Sequence, residues 1–260
     1  MGLKLFHRDL GGDGRPPLVI LHGLLGASRN WQTTGRDLAQ YFHVFALDAR
    51  NHGASPQAAE MDYPAMTADV LAWLDAQGLA RVAVMGHSMG GKTAMQLACR
   101  HPERVAQLTV VDIAPKDYAW PAHRQEFAAM NELDLASLSS RAEAEQRLEA
   151  KVADWAMRKF LATNLDRDAN GHWHWIVNLP VLTTALPGLE HNPLAPADQF
   201  TGPTLFIVGG KSAYVAEADH ARIRLHFPAA RIELLPAAGH NPHMETRAAF
   251  VRLVQPTASA

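Results

Sequence analysis

The stretch AVMGHSMGGKTAM, residues 83–95, fits two unrelated catalytic motifs. Residues 86–90 match G-x-S-x-G, the sharp turn between a strand and a helix that presents a nucleophilic serine. Residues 86–93 also match G-x-x-x-x-G-K-T, the loop that holds phosphate groups in nucleotide hydrolases. Both motifs place free N–H groups at the start of a helix, where they bind an anion, so the choice between them depends on the rest of the chain.

Apolar runs alternate with longer amphipathic segments along most of the chain. This alternation predicts an α/β fold with a mostly parallel central sheet flanked by helices. An additional edge strand is predicted at Leu3–His7. Strands are predicted at the apolar runs PPLVILHG, HVFALD, RVAVMG, QLTVVDIAP, PTLFIVGG and ARIELLP. Helices are predicted near residues 31–41, 64–77, 89–100, 217–227 and 242–254.

The alternation stops between residues 115 and 200. Within this segment, residues 139–165 have a helical period, in which apolar side chains recur on one face. We therefore predict an α/β core formed by residues 1–114 and 201–260, with residues 115–200 inserted into it as a helical cap. The Ala- and Pro-rich tail, residues 254–260, is expected to fray.

Other parts of the chain supply the groups that a serine nucleophile needs. Such a serine works with a base, an acid that orients the base, and backbone N–H groups that bind the oxyanion. His240 follows the last predicted strand, and Asp112 ends a strand that comes after Ser88 in sequence. LHGLLG, residues 21–26, ends the first predicted strand in a glycine turn. A nucleotide-binding loop explains neither the glycine turn nor the histidine, so the serine interpretation is favoured and Lys92 is interpreted as a helix residue beside the turn.

These segments resemble the α/β-hydrolase family and, more narrowly, the small bacterial esterases of the YbfF type. The resemblance rests on LHGLLG, DARNHGASP, GHSMGGKTAM, VVDIAP and AGH, and it covers nearly the whole chain. It implies that Ser88 is the nucleophile, that His240 is the general base and that Asp112 is the orienting acid.

The acid is the member of this site at which the chain departs from the wider family. Most members carry it after the strand that corresponds to PTLFIVGG, where this chain reads GGKSAYV and has Ser212 near the usual acid position. In the YbfF-type group, which this chain resembles, the acid comes from the preceding strand. Asp112 matches that position. Glu217 and Asp219, in the loop of residues 211–219, stay open as alternatives.

Backbone N–H groups of Leu24 and Met89 are predicted to bind the oxyanion, because they follow the glycine turn and the nucleophile. The side chains of these two residues and of Leu25 are predicted to line the acyl pocket. Apolar residues of the cap either roof this pocket or form a small core of the cap itself. The predicted roof consists of Trp120, Phe127, Met130, Trp155 and Phe160.

Composition excludes several classes of protein. The chain has 24 Lys plus Arg and 26 Asp plus Glu without a basic stripe, so neither nucleic acid nor a membrane is an expected partner. The single cysteine, Cys99, excludes an intrachain disulfide and fits a reducing compartment. The sequence has no signal peptide and no apolar run of membrane-spanning length, so a cytoplasmic monomer or small homo-oligomer is expected. His172 and His174 lack a cluster of carboxylates, so no metal or organic cofactor is expected.

The sequence therefore predicts a serine carboxylesterase that acts on small esters with short or medium acyl chains through an acyl-serine intermediate. The apolar cap and the lack of a basic field favour neutral substrates. One alternative is an acyl-coenzyme A thioesterase with the same triad, in which Lys211 and Arg124 would meet the anionic substrate. A second is another fate of the acyl enzyme, such as perhydrolysis or carbon–carbon bond hydrolysis. A third is a non-catalytic receptor for a small ligand on the same scaffold.

Overall fold

The computed structural model describes residues 2–256, so residues 257–260 of the predicted frayed tail lie outside the described part of the chain. A seven-stranded sheet of order β1-β3-β2-β4-β5-β8-β9 forms the centre. Strand β1 is antiparallel to β3, and every other neighbouring pair is parallel. Strands β6 and β7 form a separate antiparallel hairpin. The strands are β1 His7–Asp9, β2 Pro17–Leu21, β3 His43–Leu47, β4 Val82–His87, β5 Val105–Val111, β6 Leu165–Arg167, β7 Trp173–Trp175, β8 Thr204–Gly209 and β9 Ala230–Leu235.

Helices cover both faces of this sheet. The longest, α2, has 14 residues. Among residues 2–256, no helix combines the length and the apolar composition that crossing a bilayer requires. The helices are α1 Gln32–Leu38, α2 Tyr63–Ala76, α3 Met89–Arg100, α4 Pro121–Glu132, α5 Arg141–Leu148, α6 Trp155–Ala162, α7 Leu179–Glu190, α8 His220–His226, α9 Pro242–Glu245 and α10 Arg247–Val254.

The central strands β4 and β5 are buried on both faces, which explains their nearly continuous apolar sequences. Successive residues of β4 point to opposite sides. Val84 packs in the core on the side of α2 and α3, whereas Met85 packs in the core on the side of α1 and α10. The predicted α/β-hydrolase fold, with its mostly parallel sheet between two layers of helices, is therefore confirmed.

The edge strand differs from the prediction. The sequence predicts it at residues 3–7, but β1 begins at His7. The N–H of Leu3 donates to the carboxylate of Asp69 at 2.6 Å, and the N–H of Phe6 donates to the hydroxyl of Ser55 at 2.8 Å. Side chains therefore bind these two N–H groups, and the carbonyl of Phe6 accepts from the N–H of Asp48, just after β3, at 2.9 Å.

The segment between β5 and β8 contains helices α4 to α7 and the β6–β7 hairpin, and its predicted boundaries, residues 115–200, stay a prediction. The single helical period predicted across residues 139–165 forms two helices, α5 and α6, instead. Asp154 interrupts it, because its carboxylate accepts from the N–H of Ala156 at 2.8 Å and caps a new helix. The guanidinium of Arg158 donates to the carbonyls of Val152 and Ala153, each at 2.9 Å, and stabilises the turn.

Candidate active site

Ser88 occupies the sharp turn between β4 and α3. Its backbone has φ 52° and ψ −118°, in the positive-φ region that residues with a side chain seldom adopt. A Cβ atom on Gly86 would lie 2.1 Å from the carbonyl oxygen of Gly90, and one on Gly90 would lie 2.3 Å from that of Leu21. Both glycines of the motif are therefore required by space. Strain of this kind is typical of functional positions, and here it holds Ser88 at the carboxyl edge of the sheet.

Asp112 and His240 contact each other at the same edge. Asp112 follows β5, and His240 lies in the loop between β9 and α9. Nδ1 of His240 donates a hydrogen bond to Oδ2 of Asp112 at 2.7 Å. The Asp112 carboxylate is fully buried and also accepts from the N–H of Gly209 at 2.9 Å and from the hydroxyl of Ser212. Because Nδ1 is a donor, the neutral ring of His240 presents Nε2 as an acceptor.

The two alternative acids, Asp219 and Glu217, have other surroundings. Asp219 accepts from the ammonium of Lys116 at 2.5 Å and from the N–H of Ala216 at 2.9 Å. Glu217 is exposed on the short helical turn before α8. Of the three carboxylates considered, the one that contacts the ring of His240 is that of Asp112.

The ring of His240 is held on two sides. Tyr214 stacks on it with 3.8 Å between centroids and 14° between planes. Nε2 of His87 donates to its backbone carbonyl at 2.8 Å, and burial lowers the pKa of His87 well below its usual value. Ser88 and His240 line one cavity, but within residues 2–256 no hydrogen bond joins Ser88 Oγ to the ring. In free enzymes such bonds are often long and shorten when substrate binds, so this separation fits a catalytic pair.

The glycine turn after β2 is fixed from both the core and the cap. Leu25 has a φ of 59°, its N–H donates to Nε2 of His52 at 3.2 Å, and its carbonyl accepts from Nδ2 of Asn164 at 2.9 Å. The N–H groups of Leu24 and Met89 have no acceptor within the described chain. Two backbone donors are therefore free beside Ser88, as an oxyanion site requires.

A cavity of about 360 Å³ adjoins Ser88 and separates the core from the helices of the inserted segment. Leu24, Trp31 and His240 contribute to its core side. His123, Met157 and Phe160 contribute to its opposite side. An ester bound here would have its carbonyl beside a serine, an imidazole and two N–H donors, which is the environment of acyl transfer.

The α/β-hydrolase-fold family model matches residues 16–246. The chain belongs to the α/β-hydrolase family. It is 37% identical over 260 residues to the mouse protein named sn-1-specific diacylglycerol lipase ABHD11, covering 97% of this chain and 84% of that protein. It is 35% identical over 239 residues to esterase YbfF of Escherichia coli K12, covering 92% of this chain and 91% of that one. A solved structure titled marine microorganism esterase has a TM-score of 0.94 and 34% identity, covering 97% of this chain and 98% of that one.

These matches confirm the resemblance to the YbfF-type esterases and the prediction of a hydrolase. The family model spans the elements that carry Ser88, Asp112 and His240. The relatives are named as esterases and a lipase, so this α/β-hydrolase is grouped with enzymes of ester cleavage.

Some of the predicted pocket residues of this α/β-hydrolase line the cavity and others do not. Leu24 and Phe160 line the cavity. Trp155 lies outside it, 58% exposed on α6, with the ammonium of Lys159 4.3 Å from its ring. The predicted helical period is interrupted before α6, and Trp155, at the first position of that helix, turns outward. The remaining predicted residues are buried in the protein core and do not reach the cavity: Leu25, Met89, Trp120, Phe127 and Met130.

His123 is a cavity residue that the sequence analysis did not identify. Its Nδ1 is 2.6 Å from Oε2 of the buried Glu126, and its Nε2 is 3.4 Å from the hydroxyl of Tyr214. A histidine and a glutamate three residues apart lie on one face of a helix, so the spacing was a usable signal for the pair. Its direction toward the cavity had no signal in the sequence, because it depends on how α4 packs on the core.

The charges predicted to meet an anionic substrate are not at the cavity wall. Arg124 pairs with Glu190, and Lys211 is exposed. Within residues 2–256, one group of three potential metal ligands lies close together. Two of them are exposed carboxylates, and none of the three lines the cavity. They are Asp9, Asp13 and His43.

Proposed function

We propose that this α/β-hydrolase is a serine carboxylesterase that hydrolyses small esters with short or medium acyl chains through a covalent acyl-Ser88 intermediate. The observation that carries the proposal is the 2.7 Å hydrogen bond between the buried Asp112 and His240, which lines the same cavity as Ser88. In the proposed site, His240 is the general base and acid and Asp112 orients it. The N–H groups of Leu24 and Met89 bind the oxyanion.

In the acylation step, Nε2 of His240 takes the proton of Ser88 Oγ as that oxygen bonds to the carbonyl carbon of the ester. The carbonyl π electrons move to the oxygen, which the two backbone N–H groups stabilise. The buried Asp112 carboxylate stabilises the imidazolium ion. When the carbonyl re-forms, the bond to the alcohol oxygen breaks and His240 gives its proton to the leaving alcohol.

In the deacylation step, the same groups act on water. Nε2 of His240 takes a proton from a water molecule whose oxygen bonds to the acyl carbon. The second tetrahedral intermediate collapses with cleavage of the bond to Ser88 Oγ, and His240 returns the proton to that oxygen. The products are a carboxylic acid and an alcohol, and the enzyme returns to its initial state.

The cavity limits the substrate by size and by charge. Its volume of about 360 Å³ is near the lower end for small-molecule pockets, which supports short or medium acyl chains. Its wall contains the carboxylates of Asp154 and Glu245 and, within the described chain, neither lysine nor arginine. This charge favours neutral esters over coenzyme A thioesters, whose phosphates bind best to cationic side chains.

Short-chain diacylglycerols are a substrate class to include in the test. The mouse relative, 37% identical, is named as an sn-1-specific diacylglycerol lipase. A diacylglycerol is neutral, and its ester carbonyls would use the same two backbone donors as any other carboxylic ester.

The proposal is tested with 4-nitrophenyl esters of increasing acyl length, assayed on the wild type and on Ser88→Ala. We expect the highest turnover with short or medium chains and a loss of about 10⁴-fold or more in the variant, because it lacks the nucleophile. The kcat/KM for 4-nitrophenyl butyrate is then compared with those for butyryl-coenzyme A and dibutyrylglycerol. Ester turnover that survives in Ser88→Ala contradicts the proposal. Labelling of Ser88 by a fluorophosphonate without turnover of any ester would favour the receptor.

A further inference from the structure

Lys92 is a buried cation that the proposed reaction does not use. It lies on α3, one turn after Ser88, and none of its surface is exposed. Its ammonium donates to the backbone carbonyls of Leu189, Glu190 and His191 at 3.3, 2.8 and 2.7 Å. These residues form the C-terminal end of α7, where helix carbonyls have no partner within the helix. The ammonium therefore stabilises the negative end of the α7 dipole.

Aromatic rings complete the surroundings of this ammonium. A buried charge destabilises a protein unless such partners surround it. Burial lowers the pKa of Lys92 to about 7, and the carboxylates of Asp117 and Glu190 act in the opposite direction. The ring centroids of Tyr63, Tyr118 and Trp120 lie 5.6, 5.0 and 5.3 Å from Nζ, within the range of cation–π contacts.

Glu190 extends the contact from α7 to α4. Its Oε1 accepts from the N–H of Trp120 at 2.9 Å, and its Oε2 pairs with Arg124. Trp120 is the N-cap residue of α4, and His123, in the first turn of that helix, lines the cavity. A continuous series of contacts therefore runs from Lys92, on the helix that follows the nucleophile, to a residue of the cavity wall.

The other end of α7 is also attached to the core. The N–H of Asn178 donates to the carbonyl of Asn51 at 2.9 Å, and its side-chain amide donates to the Asn51 side chain at 3.0 Å. These hydrogen bonds join neutral groups, whereas Lys92 joins a charge to three carbonyls. Hydrogen bonds from a charged donor are the stronger kind, so the C-terminal attachment of α7 is the firmer of the two.

We propose that Lys92 is a positioning residue that fixes α7 and α4 against α3 and so sets the shape of the cavity side formed by the cap helices. The inference rests on the proposed function, because it assigns that side of the cavity to the acyl chain of an ester. It also gives the lysine of the G-x-x-x-x-G-K-T pattern a role other than phosphate binding: main-chain carbonyls take all three of its donors.

The kinetic test uses Lys92→Met, which keeps an unbranched side chain but removes the charge and the donors. We expect KM for 4-nitrophenyl octanoate to rise about tenfold, with kcat and the KM for the acetate ester within about twofold, because the longer acyl chain is the one expected to extend as far as His123 on α4. Glu190→Gln should give a smaller rise in the same direction. Gln96→Met is the matched control, since Gln96 is also on α3 but donates to the carbonyl of Pro193, beyond the end of α7.

Hydrogen exchange gives a readout that does not depend on activity. In Lys92→Met we expect faster amide exchange in α4 and α7 than in the wild type or in Gln96→Met, with α3 unchanged. Unchanged exchange in α4 and α7, or an equal loss of kcat for both esters, overturns the positioning role. If Lys92→Met does not fold, Glu190→Gln is measured in its place with the same criteria. Absence of ester turnover in the wild type contradicts the proposed function, and the exchange data still decide the role of Lys92.

Discussion

At the end of β5, a single residue brings a carboxylate to the proposed catalytic histidine. Asp112 has a φ of 50°, a left-handed turn that takes its side chain out of the strand direction. Ser212, near the position where most of the family carries the acid, donates its hydroxyl to the Asp112 carboxylate. A second carboxylate at position 212 would repel the first, so a serine there suits an acid at Asp112 better than an aspartate would.

Asp112→Asn is expected to lower kcat by about 10³- to 10⁴-fold with a small change in KM. The amide stabilises the imidazolium less well than the carboxylate, and its NH₂ group favours the wrong tautomer of His240. Steady-state kinetics on 4-nitrophenyl butyrate measure this loss. Asp219→Asn is the control and should change kcat less than about threefold, since that carboxylate pairs with Lys116. The opposite ranking would move the acid to the loop after β8.

At the scale of elements, the inserted segment holds the loop that carries Leu24, one of the two proposed oxyanion donors. Asn164 lies between α6 and β6, and its amide binds the carbonyl of Leu25 at 2.9 Å. His52 binds the N–H of the same residue, so the peptide groups on both sides of Leu25 are fixed. The N–H of Leu24 is on the adjacent peptide group, so in the proposed mechanism these bonds hold that donor in place before substrate arrives.

Asn164→Ala is expected to lower kcat about tenfold with KM within about twofold, because a displaced donor costs less than the loss of a whole one. The measurement is turnover of 4-nitrophenyl acetate, whose short acyl group makes few other contacts. Thr184→Ala is a matched control, since the Thr184 hydroxyl donates to the carbonyl of Pro180 within α7. Equal losses in the two variants would mean that the cap does not hold this loop in place.

At the scale of the whole molecule, buried histidines make stability depend on pH. Burial lowers the pKa of His52 and of His243 to about 3 and that of His87 well below its usual value. The ring of His52 donates from Nδ1 to the carbonyl of Arg50 and accepts at Nε2, so its neutral form is the one that fits. Each of these groups binds a proton more readily in the unfolded chain than in the folded protein.

The direction of the pH dependence of stability follows from these lowered pKa values. Between about pH 3 and 6.5 the unfolded chain binds more protons, so the free energy of unfolding falls as the pH falls, by about 2 kcal/mol at pH 5 for each of His52 and His243. Urea denaturation across this range measures the effect. His243→Phe keeps an aromatic ring against Trp31 but cannot titrate. Its free energy of unfolding should therefore fall less than that of the wild type, by about 2 kcal/mol at pH 5. His172→Gln is the control, because His172 is exposed, and an unchanged slope in His243→Phe would exclude its contribution.

The sequence by itself determined the succession of strands along the chain and the candidate nucleophile and histidine, Ser88 and His240, and it favoured Asp112 as the acid. Apolar runs and glycine spacing are local properties, so the parallel strands of the central sheet, the helices of the core and the turn around Ser88 were predictable from them. The serine, acid and histidine each follow a strand, and the carboxyl ends of parallel strands meet at one edge. That rule brings Ser88, Asp112 and His240 to one edge, but it applies equally to Glu217 and Asp219, which follow β8.

Only the tertiary structure decided which carboxylate meets His240, which apolar residues face the cavity and what Lys92 binds. Trp155 and Phe160 share one helical segment, yet one is exposed and the other lines the cavity. Helical period gives a residue's face but not what the face packs against, and that depends on contacts between segments distant in sequence. The lysine of a phosphate-loop pattern became a cap for α7 for the same reason: its acceptors lie almost a hundred residues away in the chain.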